Sequence, residues 1–277
     1  MKICKPWSNS EIQTLRNNWA AKRPEDIARL IGRTDRAVSH KAKILQLKKS
    51  PDYSGRRTFH PKFSFWRSWS PELAYILGFI AADGNVYEGH SKHLLQMSLQ
   101  RRDGYMLHRM ALFGGGRTSD IPKKKAIGWT VAGVSFIETI KELGIHPRKS
   151  HRLTLPFVPR DLQSHFVRGY CDGDGCLGIH PVARGTVVMM SICGNAAMLS
   201  GLRELIYSHV QIVGKTNIAK LKGRNVYELR FTTREDLLRL LPWMYDGATL
   251  WLSRKKEIAD DIIDNAKHSM LQMARRR

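Results

Sequence analysis

Two apolar segments end in the same acid-glycine pair, and this repeat constrains the fold more than any other feature. Residues 73–84 read LAYILGFIAADG and residues 165–175 read HFVRGYCDGDG, which places Asp83 and Asp174 91 positions apart. Each run has the length and apolar content of a buried helix. The repeat therefore predicts two equivalent units in one chain, each with a carboxylate at the end of a central helix.

The net charge indicates the kind of partner. Lys and Arg number 46 against 24 Asp and Glu, a net charge of +22. Such an excess favours polyanions, above all nucleic acid. The longest apolar run, residues 73–82, is too short to cross a bilayer, so we expect no membrane partner. The N-terminus shows no secretory pattern, so we expect the protein to act inside a cell, in cytoplasm, nucleoid, an organelle or a phage-infected cell.

The cysteines do not follow a disulfide or zinc pattern. Cys4, Cys171, Cys176 and Cys193 are few and irregularly spaced. A zinc site of Cys171, Cys176, His180 and Cys193 is conceivable, but the spacing is not C-x-x-C. Cys171 also lies in an apolar helical run, where a small buried residue is the ordinary role. We therefore predict no zinc site.

Residues 1–48 predict a small domain of three helices. A capping box begins the first helix at Ser8, Pro24 suits the start of the second, and Gly32 suits its end. Thr34 can cap the third helix. The segment resembles Myb-like and related helix-turn-helix domains, with Trp7 and Trp19 in the core. The resemblance implies DNA binding through outward-facing residues of the third helix: Arg36, Ser39, His40 and Lys43.

Residues 49–69 are predicted to form a basic, aromatic linker. They lack a regular period and contain Pro51, Gly55 and Pro61. The first 70 residues carry 16 Lys and Arg against 5 Asp and Glu, so half of the net charge lies in a quarter of the chain. This bias supports a DNA-binding role for the N-terminal part.

From residue 70 onward, one order of elements occurs twice, in residues 70–160 and 161–277. After the first motif helix we predict a strand at 95–100, a helix at 103–112, a strand ending near 132 and a helix at 135–143. After the second we predict a strand at 187–192, a helix at 196–208, strands at 216–221 and 226–231, and helices from 234. The fold class is therefore α+β: tandem pseudo-symmetric αββαββα repeats with antiparallel DNA-binding sheets.

The two motifs, each opening a repeated α/β unit, resemble the LAGLIDADG homing endonucleases over about residues 70–265. The resemblance implies that the motif helices pack together and that their last acidic residues meet over DNA. Small residues four apart would allow this close approach, because they share a helix face. They are Gly78 and Ala82 in the first helix and Gly169 and Gly173 in the second.

One position departs from the family pattern. Ala81 stands where the pattern has its first Asp, whereas the second copy keeps Asp172. The earlier acid is not the usual catalytic one, so this loss is compatible with activity. It leaves the two halves chemically unequal.

Asp83 and Asp174 are the predicted catalytic carboxylates and metal ligands. A helix C-terminus disfavours negative charge, and two acids brought together repel. Mg²⁺ or another divalent cation relieves both costs and can activate water. By resemblance to the family, Lys149 and Lys255 are candidate catalytic residues that orient water or balance charge. Gln96 is a candidate for positioning water.

The sheet faces are the predicted DNA-reading surfaces, since a two-stranded ribbon fits the major groove. The candidates on the first face are Gln96, Ser98, Gln100, Arg101, Lys123 and Lys125. Those on the second face are Lys220, Lys222, Glu228 and Arg230. Which of them contact bases and which contact phosphates stays open.

The resemblance implies a monomeric homing endonuclease that uses Mg²⁺ to hydrolyse both strands of a long DNA site, encoded in or near an intron. Two alternatives stay open: a maturase that binds intron RNA, and a non-catalytic DNA-binding regulator on the same fold. Asp83 and Asp174 argue against a regulator, which has no need of them. The helix-turn-helix argues against a maturase, because the deep major groove of A-form RNA does not admit a helix.

Overall fold

A computed structural model of the chain describes residues 6–51, 53, 60–90, 92–183 and 185–275. Cys4 and Gly55 lie outside the described residues. In this part of the chain the helices are α1 (Asn9–Trp19), α2 (Pro24–Ile31), α3 (Asp35–Ile44), α4 (Phe63–Trp66), α5 (Pro71–Asp83), α6 (Gly104–Gly114), α7 (Val134–Glu142), α8 (Gln163–Asp174), α9 (Ala196–Tyr207), α10 (Arg234–Tyr245) and α11 (Ser253–Arg275). Of these described helices, none is both long and apolar enough to cross a membrane.

The described strands form two four-stranded antiparallel sheets, in the orders β1-β2-β4-β3 and β5-β6-β8-β7. They are β1 (Asn85–Gly89), β2 (Lys92–Gln100), β3 (Arg117–Ile121), β4 (Ala126–Ala132), β5 (Gly175–Val182), β6 (Gly185–Gly194), β7 (Ile218–Lys220) and β8 (Tyr227–Phe231). The order α5-β1-β2-α6-β3-β4-α7 recurs as α8-β5-β6-α9-β7-β8-α10. This confirms the predicted tandem αββαββα repeat.

The N-terminal helices α1 to α3 enclose a small core of their own. The predicted capping box is present, because Glu11 N–H donates to Ser8 Oγ at 3.2 Å and Ser8 N–H donates to Glu11 Oε2 at 2.8 Å. Gly32 ends α2 in the left-handed conformation. Trp7 and Trp19 pack at the edge of this core, which consists of Leu15, Ile27, Ala28, Val38 and Ala42.

The predicted linker is anchored at both of its ends. Lys49 Nζ donates to the carbonyl oxygens of Trp19 at 2.7 Å and Lys22 at 2.5 Å, on the N-terminal unit. At the other end, the buried Trp66 donates from Nε1 to Gly114 O at 2.7 Å. The last part of this segment therefore belongs to the first repeat, because its aromatic rings enter the core. The other predicted domain boundaries stay predictions.

The motif helices α5 and α8 pack directly against each other at the centre of the repeats. A Cβ atom added to Gly78 would lie 2.1 Å from Phe166 O, and one added to Gly169 would lie 2.0 Å from Tyr75 O. Only glycine fits where two backbones approach this closely. Both predicted small-residue contacts are therefore present in the helix pair.

Candidate active site

The packing of α5 on α8 brings two carboxylates to one end of the helix pair. Asp83 is the last residue of α5 and Asp174 the last of α8. The next residues, Gly84 and Gly175, have extended backbones and lead directly into β1 and β5. Each carboxylate thus lies where a central helix meets the first strand of its sheet.

Loss of solvent raises the pKa of both carboxyl groups. Burial, followed by the negative charge of Asp83, raises the pKa of Asp174 to about 6, against the opposing effect of Lys149 and Lys255. Burial also raises the pKa of Asp83, and the same two lysines oppose it. Neighbouring carboxylates that resist ionisation are stabilised by a bound cation.

A buried lysine holds each motif helix at its C-terminal end. Lys149 Nζ donates to Ala81 O at 2.6 Å and to Ala82 O at 2.7 Å. Lys255 Nζ donates to the carbonyl oxygens of Cys171, Asp172 and Gly175, at 2.5, 2.9 and 2.6 Å. Lysine at a helix C-terminus offsets the negative end of the macrodipole. Each lysine therefore binds carbonyl oxygens at the C-terminal end of one motif helix, and the charge of each acts on the pKa of both carboxyl groups.

The oxygen donors at this site fit a metal ion that is bound partly by the protein and partly by the substrate. Within the described residues, no group of three or more His, Cys, Asp or Glu side chains is placed to hold a metal. Asp83 and Asp174 supply two carboxylates, and the lysines already occupy several helix-end carbonyls. Mg²⁺ is commonly held by one or two carboxylates together with water and substrate phosphates. The residues present therefore fit Mg²⁺ at a protein–DNA junction.

Within the described residues, the second half contains a buried polar network that has no counterpart in the first half. Asp172 Oδ2 accepts from Tyr75 Oη at 2.7 Å and from Leu252 N–H at 2.9 Å. Burial raises the pKa of this carboxyl group. The equivalent residue of the first half is the buried Ala81. The difference between the two halves in sequence is therefore also a structural difference, because Asp172 fixes the chain just before Lys255 and Ala81 has no side-chain acceptor to do the same before Lys149.

Side chains of the first repeat also fix the start of α11, which carries Lys255. Tyr105 Oη accepts from Ser253 N–H at 2.6 Å, and Arg254 forms an ion pair with Asp103 at 3.1 Å. Sequence reasoning missed these positioning residues, because they lie about 150 positions from their partners. The one local sign of such contacts in the sequence was the presence of polar residues, such as Tyr75 and Asp172, inside the apolar motif helices.

The buried His165 predicts a defined acid sensitivity. Burial and the charge of Arg168 lower the pKa of His165 from 6.5 to about 4, and its Nδ1 accepts from Arg168 at 2.8 Å. Between pH 6.5 and about pH 4, His165 is protonated in the unfolded chain but not in the folded chain. The free energy of unfolding therefore falls as the pH is lowered through this range. His165→Asn keeps an acceptor without the titration.

We expect His165→Asn to lose less thermal stability than the parent protein between pH 7 and pH 5, measured by the midpoint of thermal unfolding. His90→Asn, a change at an exposed turn, is the matched control and should follow the parent protein. Parallel pH profiles for all three proteins would contradict this prediction.

The outward face of the first sheet carries three of its six predicted DNA-reading residues. Gln96, Ser98 and Gln100 are exposed and alternate with buried or half-buried side chains along β2. Gln96 pairs with Asn85, two positions beyond Asp83. This register places Gln96 on the strand next to β1, opposite the residue two positions beyond Asp83, and its role in positioning water stays a prediction.

The basic candidates of the first repeat lie off the strands. Arg101 begins a 3-10 helix after β2 and forms an ion pair with Asp120 at 2.7 Å. Lys123 lies in the 3-10 helix between β3 and β4, and the exposed Lys125 follows it in the left-handed conformation. These positions put positive charge at one end of the sheet.

The second sheet corrects one expectation. Arg230 pairs with Ser191 and is exposed, and its Nε bonds Glu228 at 2.5 Å. Lys220 pairs with Tyr227 and therefore lies on the same face of the sheet as Tyr227. Side chains alternate between the two faces along a strand, so this is the inward face, which carries the buried Leu229 and Phe231. Lys220 and Arg230 therefore do not share one face, contrary to the sequence-based expectation.

Two smaller groups of candidates are exposed as predicted. Lys222 lies in the connection between β7 and β8. On α3, the side chains of Arg36, Ser39, His40 and Lys43 are exposed, while Val38 and Ala42 are buried. That any of these residues contacts DNA stays a prediction.

Comparison with known proteins identifies the fold. No protein-family model matches the sequence, and no curated protein matches it. Solved structures do match. LAGLIDADG meganuclease I-AabMI, bound to uncleaved DNA, is 15% identical over 73% of this chain and 92% of its own, with a TM-score of 0.50. The I-LtrWI LAGLIDADG homing endonuclease, bound to target DNA, is 11% identical over 72% of this chain and 91% of its own, with a TM-score of 0.52.

A third match agrees with these two. The I-SmaMI LAGLIDADG homing endonuclease, bound to cleaved DNA, is 11% identical over 76% of this chain and 91% of its own, with a TM-score of 0.51. The chain therefore has the fold of the LAGLIDADG homing endonucleases. The motif resemblance and the structural likeness agree on this fold.

Proposed function

We propose that this protein is a site-specific endonuclease that uses Mg²⁺ to hydrolyse both strands of a long duplex DNA site. The observation that carries the proposal is the pair Asp83 and Asp174 at adjoining helix ends, each end held by a buried lysine. Proteins of this fold have been solved with DNA, and I-SmaMI also with its uncleaved DNA target in the presence of calcium ions. Both facts support a DNA substrate and a divalent cation.

The side chains divide the work at the centre. Asp83 and Asp174 hold the cation, which when bound activates water and stabilises the phosphate and the leaving oxygen. Lys149 and Lys255 offset the negative charge of the carboxylates and helix ends, so both acids can ionise together. Gln96 orients the attacking water from the sheet face beside Asp83.

DNA lies across the outward faces of both sheets, with the scissile phosphates over the carboxylates. The N-terminal unit binds duplex DNA on one side through α3, and the loop lysines contact phosphates. Because one chain supplies both carboxylates, the active species is a monomer. The gene lies in or near an intron.

A randomised duplex library tests this proposal. Full-length protein with Mg²⁺ should select one long sequence and cut both of its strands at the centre of the site. Sedimentation of that complex should show one protein per duplex. Cleavage of unselected DNA alone, binding without cleavage, or preferential binding of structured intron RNA would contradict the proposal, and the last two would favour the regulator and the maturase respectively.

Removal of residues 1–48 should separate the two DNA-binding parts. Their core is separate from that of the repeats, so the truncated protein should stay folded. Affinity should fall, and the salt dependence of log K should become shallower by about one unit for each phosphate that the shortened protein leaves unneutralised. The footprint should shorten on one side only.

Cleavage by the truncated protein should survive at high concentration, because Asp83 and Asp174 remain. Nuclease footprinting and binding at several salt concentrations measure these effects. An unchanged footprint together with an unchanged salt dependence would show that the N-terminal unit does not bind the target.

A further inference from the structure

The outward faces of the two sheets differ at equivalent positions. Two positions beyond each carboxylate stand Asn85 and Cys176, and their cross-strand partners are Gln96 and Ser191. Two positions further along the same strands stand Ser98 and Cys193. The amide pair of the first half is thus replaced by a thiol and a buried hydroxyl in the second.

The contrast continues at two further pairs of equivalent positions, whereas Arg230 and Glu228 of the second face stand where the first face has Thr130 and Gly128. Ser119 lies two strands across from Ser98 in the first sheet, and Ala219 lies two strands across from Cys193 in the second. Ser119 and Ala219 therefore occupy equivalent positions. Lys92 corresponds in the same way to Val187. Val187 is 40% exposed, so this apolar side chain is open to a ligand.

Few hydrogen-bonding groups remain on the second face. Among its described strand residues, the polar side chains are His180, Ser191, Glu228 and Arg230. Ser191 is buried, and Arg230 Nε is bonded to Glu228 at 2.5 Å. The apolar and thiol groups of this face are Cys176, Val182, Val187, Met189, Cys193 and Ala219.

Base pairs in the major groove offer different groups to these two surfaces. Amide side chains bond the N6 and N7 atoms of adenine, and arginine bonds O6 and N7 of guanine. Small apolar side chains instead contact the C5-methyl group of thymine. The first face suits hydrogen bonds to purines, because it exposes Asn85, Gln96, Gln100 and Arg117. The second face suits contacts with thymine methyl groups.

We infer that the two halves of the DNA site are recognised by different chemistry: hydrogen bonds to purines under the first sheet, and contacts with thymine methyl groups under the second. This inference rests on the proposed function, since it assumes that both faces lie on DNA. Each methyl contact under the second sheet contributes about a fourfold change in Kd, because burying one CH₂ contributes about 0.8 kcal/mol and about 1.4 kcal/mol is tenfold.

The test uses the full-length protein and the duplex selected from the randomised library. The half-site whose base preference changes in Gln100→Ala is assigned to the first sheet. Thymines of each half are then replaced by uracil, which removes only the methyl group, and purines by their 7-deaza forms, which remove the N7 acceptor. We expect uracil to weaken binding about fourfold per contacted position under the second sheet and less than about twofold under the first, with the reverse pattern for 7-deazapurines.

Two variants locate the effect. Met189→Gln and Val187→Asn should abolish the uracil penalty at one position each, without changing the response to 7-deazapurines in the other half. Thermal unfolding checks that both variants are folded.

Equal uracil sensitivity in both halves, or a second half-site without thymine, would overturn the inference while leaving the endonuclease proposal intact. Failure to select any sequence would overturn both.

Discussion

Asparagine at position 83 or position 174 is expected to abolish double-strand cleavage while leaving DNA binding largely intact. Each substitution removes one of the two carboxylates that meet at the ends of α5 and α8, and it preserves side-chain size. Removing a single fixed electrostatic group from an active site costs about 10²–10³ in rate. Loss of a metal ligand should cost at least about 10³-fold, measured as cleavage of the selected duplex at saturating Mg²⁺.

Thermal unfolding of Asp174→Asn shows whether a loss of cleavage comes from the missing carboxylate or from a misfolded protein. The pKa of Asp174 is about 6 in the folded chain against 3.8 ordinarily, so the folded state holds the proton more tightly between these values. Stability therefore falls as the pH rises through this window, and the ionised carboxylate destabilises the metal-free fold above it. Asp174→Asn should accordingly unfold at a higher temperature than the parent protein at about pH 7.5 without metal.

Asp261→Asn is the matched control, since it makes the same change at an exposed position of α11. It should cleave normally and leave the unfolding temperature nearly unchanged. Normal cleavage by both Asp83→Asn and Asp174→Asn would show that the catalytic centre lies elsewhere.

The repeat and its carboxylates could be predicted from sequence because their signals are local. An apolar run of helical length that ends in Asp-Gly predicts both a buried helix and the position of the acid at its end, and the whole signal lies within about a dozen consecutive residues. Lys149 and Lys255 were found for a related reason: they occupy comparable places late in each half. Their role at the helix ends became visible only from the carbonyl oxygens that they contact.

What sequence did not reveal depends on contacts between distant segments or on strand register. Tyr105 and Asp103 fix the start of α11 from the opposite repeat, and no local pattern links them to Ser253 and Arg254. The face on which Lys220 lies depends on the pairing of β7 with β8, because a shift by one residue moves a side chain to the other side.

The largest effect on folding is expected from alanine at Gly78 or Gly169. Helix propensity alone predicts that each change stabilises its helix by about 1 kcal/mol. The packing of α5 on α8 predicts the opposite, because the new Cβ would lie 2.1 Å from Phe166 O or 2.0 Å from Tyr75 O. Backbone atoms cannot rotate away as a side chain can, so the two helices must separate.

Separation of α5 from α8 also displaces Asp83 from Asp174. We expect each variant to lose about 3 kcal/mol or more of unfolding free energy, beyond the usual cost of overpacking, together with cleavage. Denaturant unfolding measures the loss. Gly128→Ala is the control, since its new methyl would approach side-chain atoms rather than backbone, namely the far end of Ile121 at 3.1 Å and Ser119 Oγ at 3.4 Å. Stabilisation of Gly78→Ala and Gly169→Ala would mean that helix propensity outweighs the interhelical packing, and that the carboxylates are not held together by it.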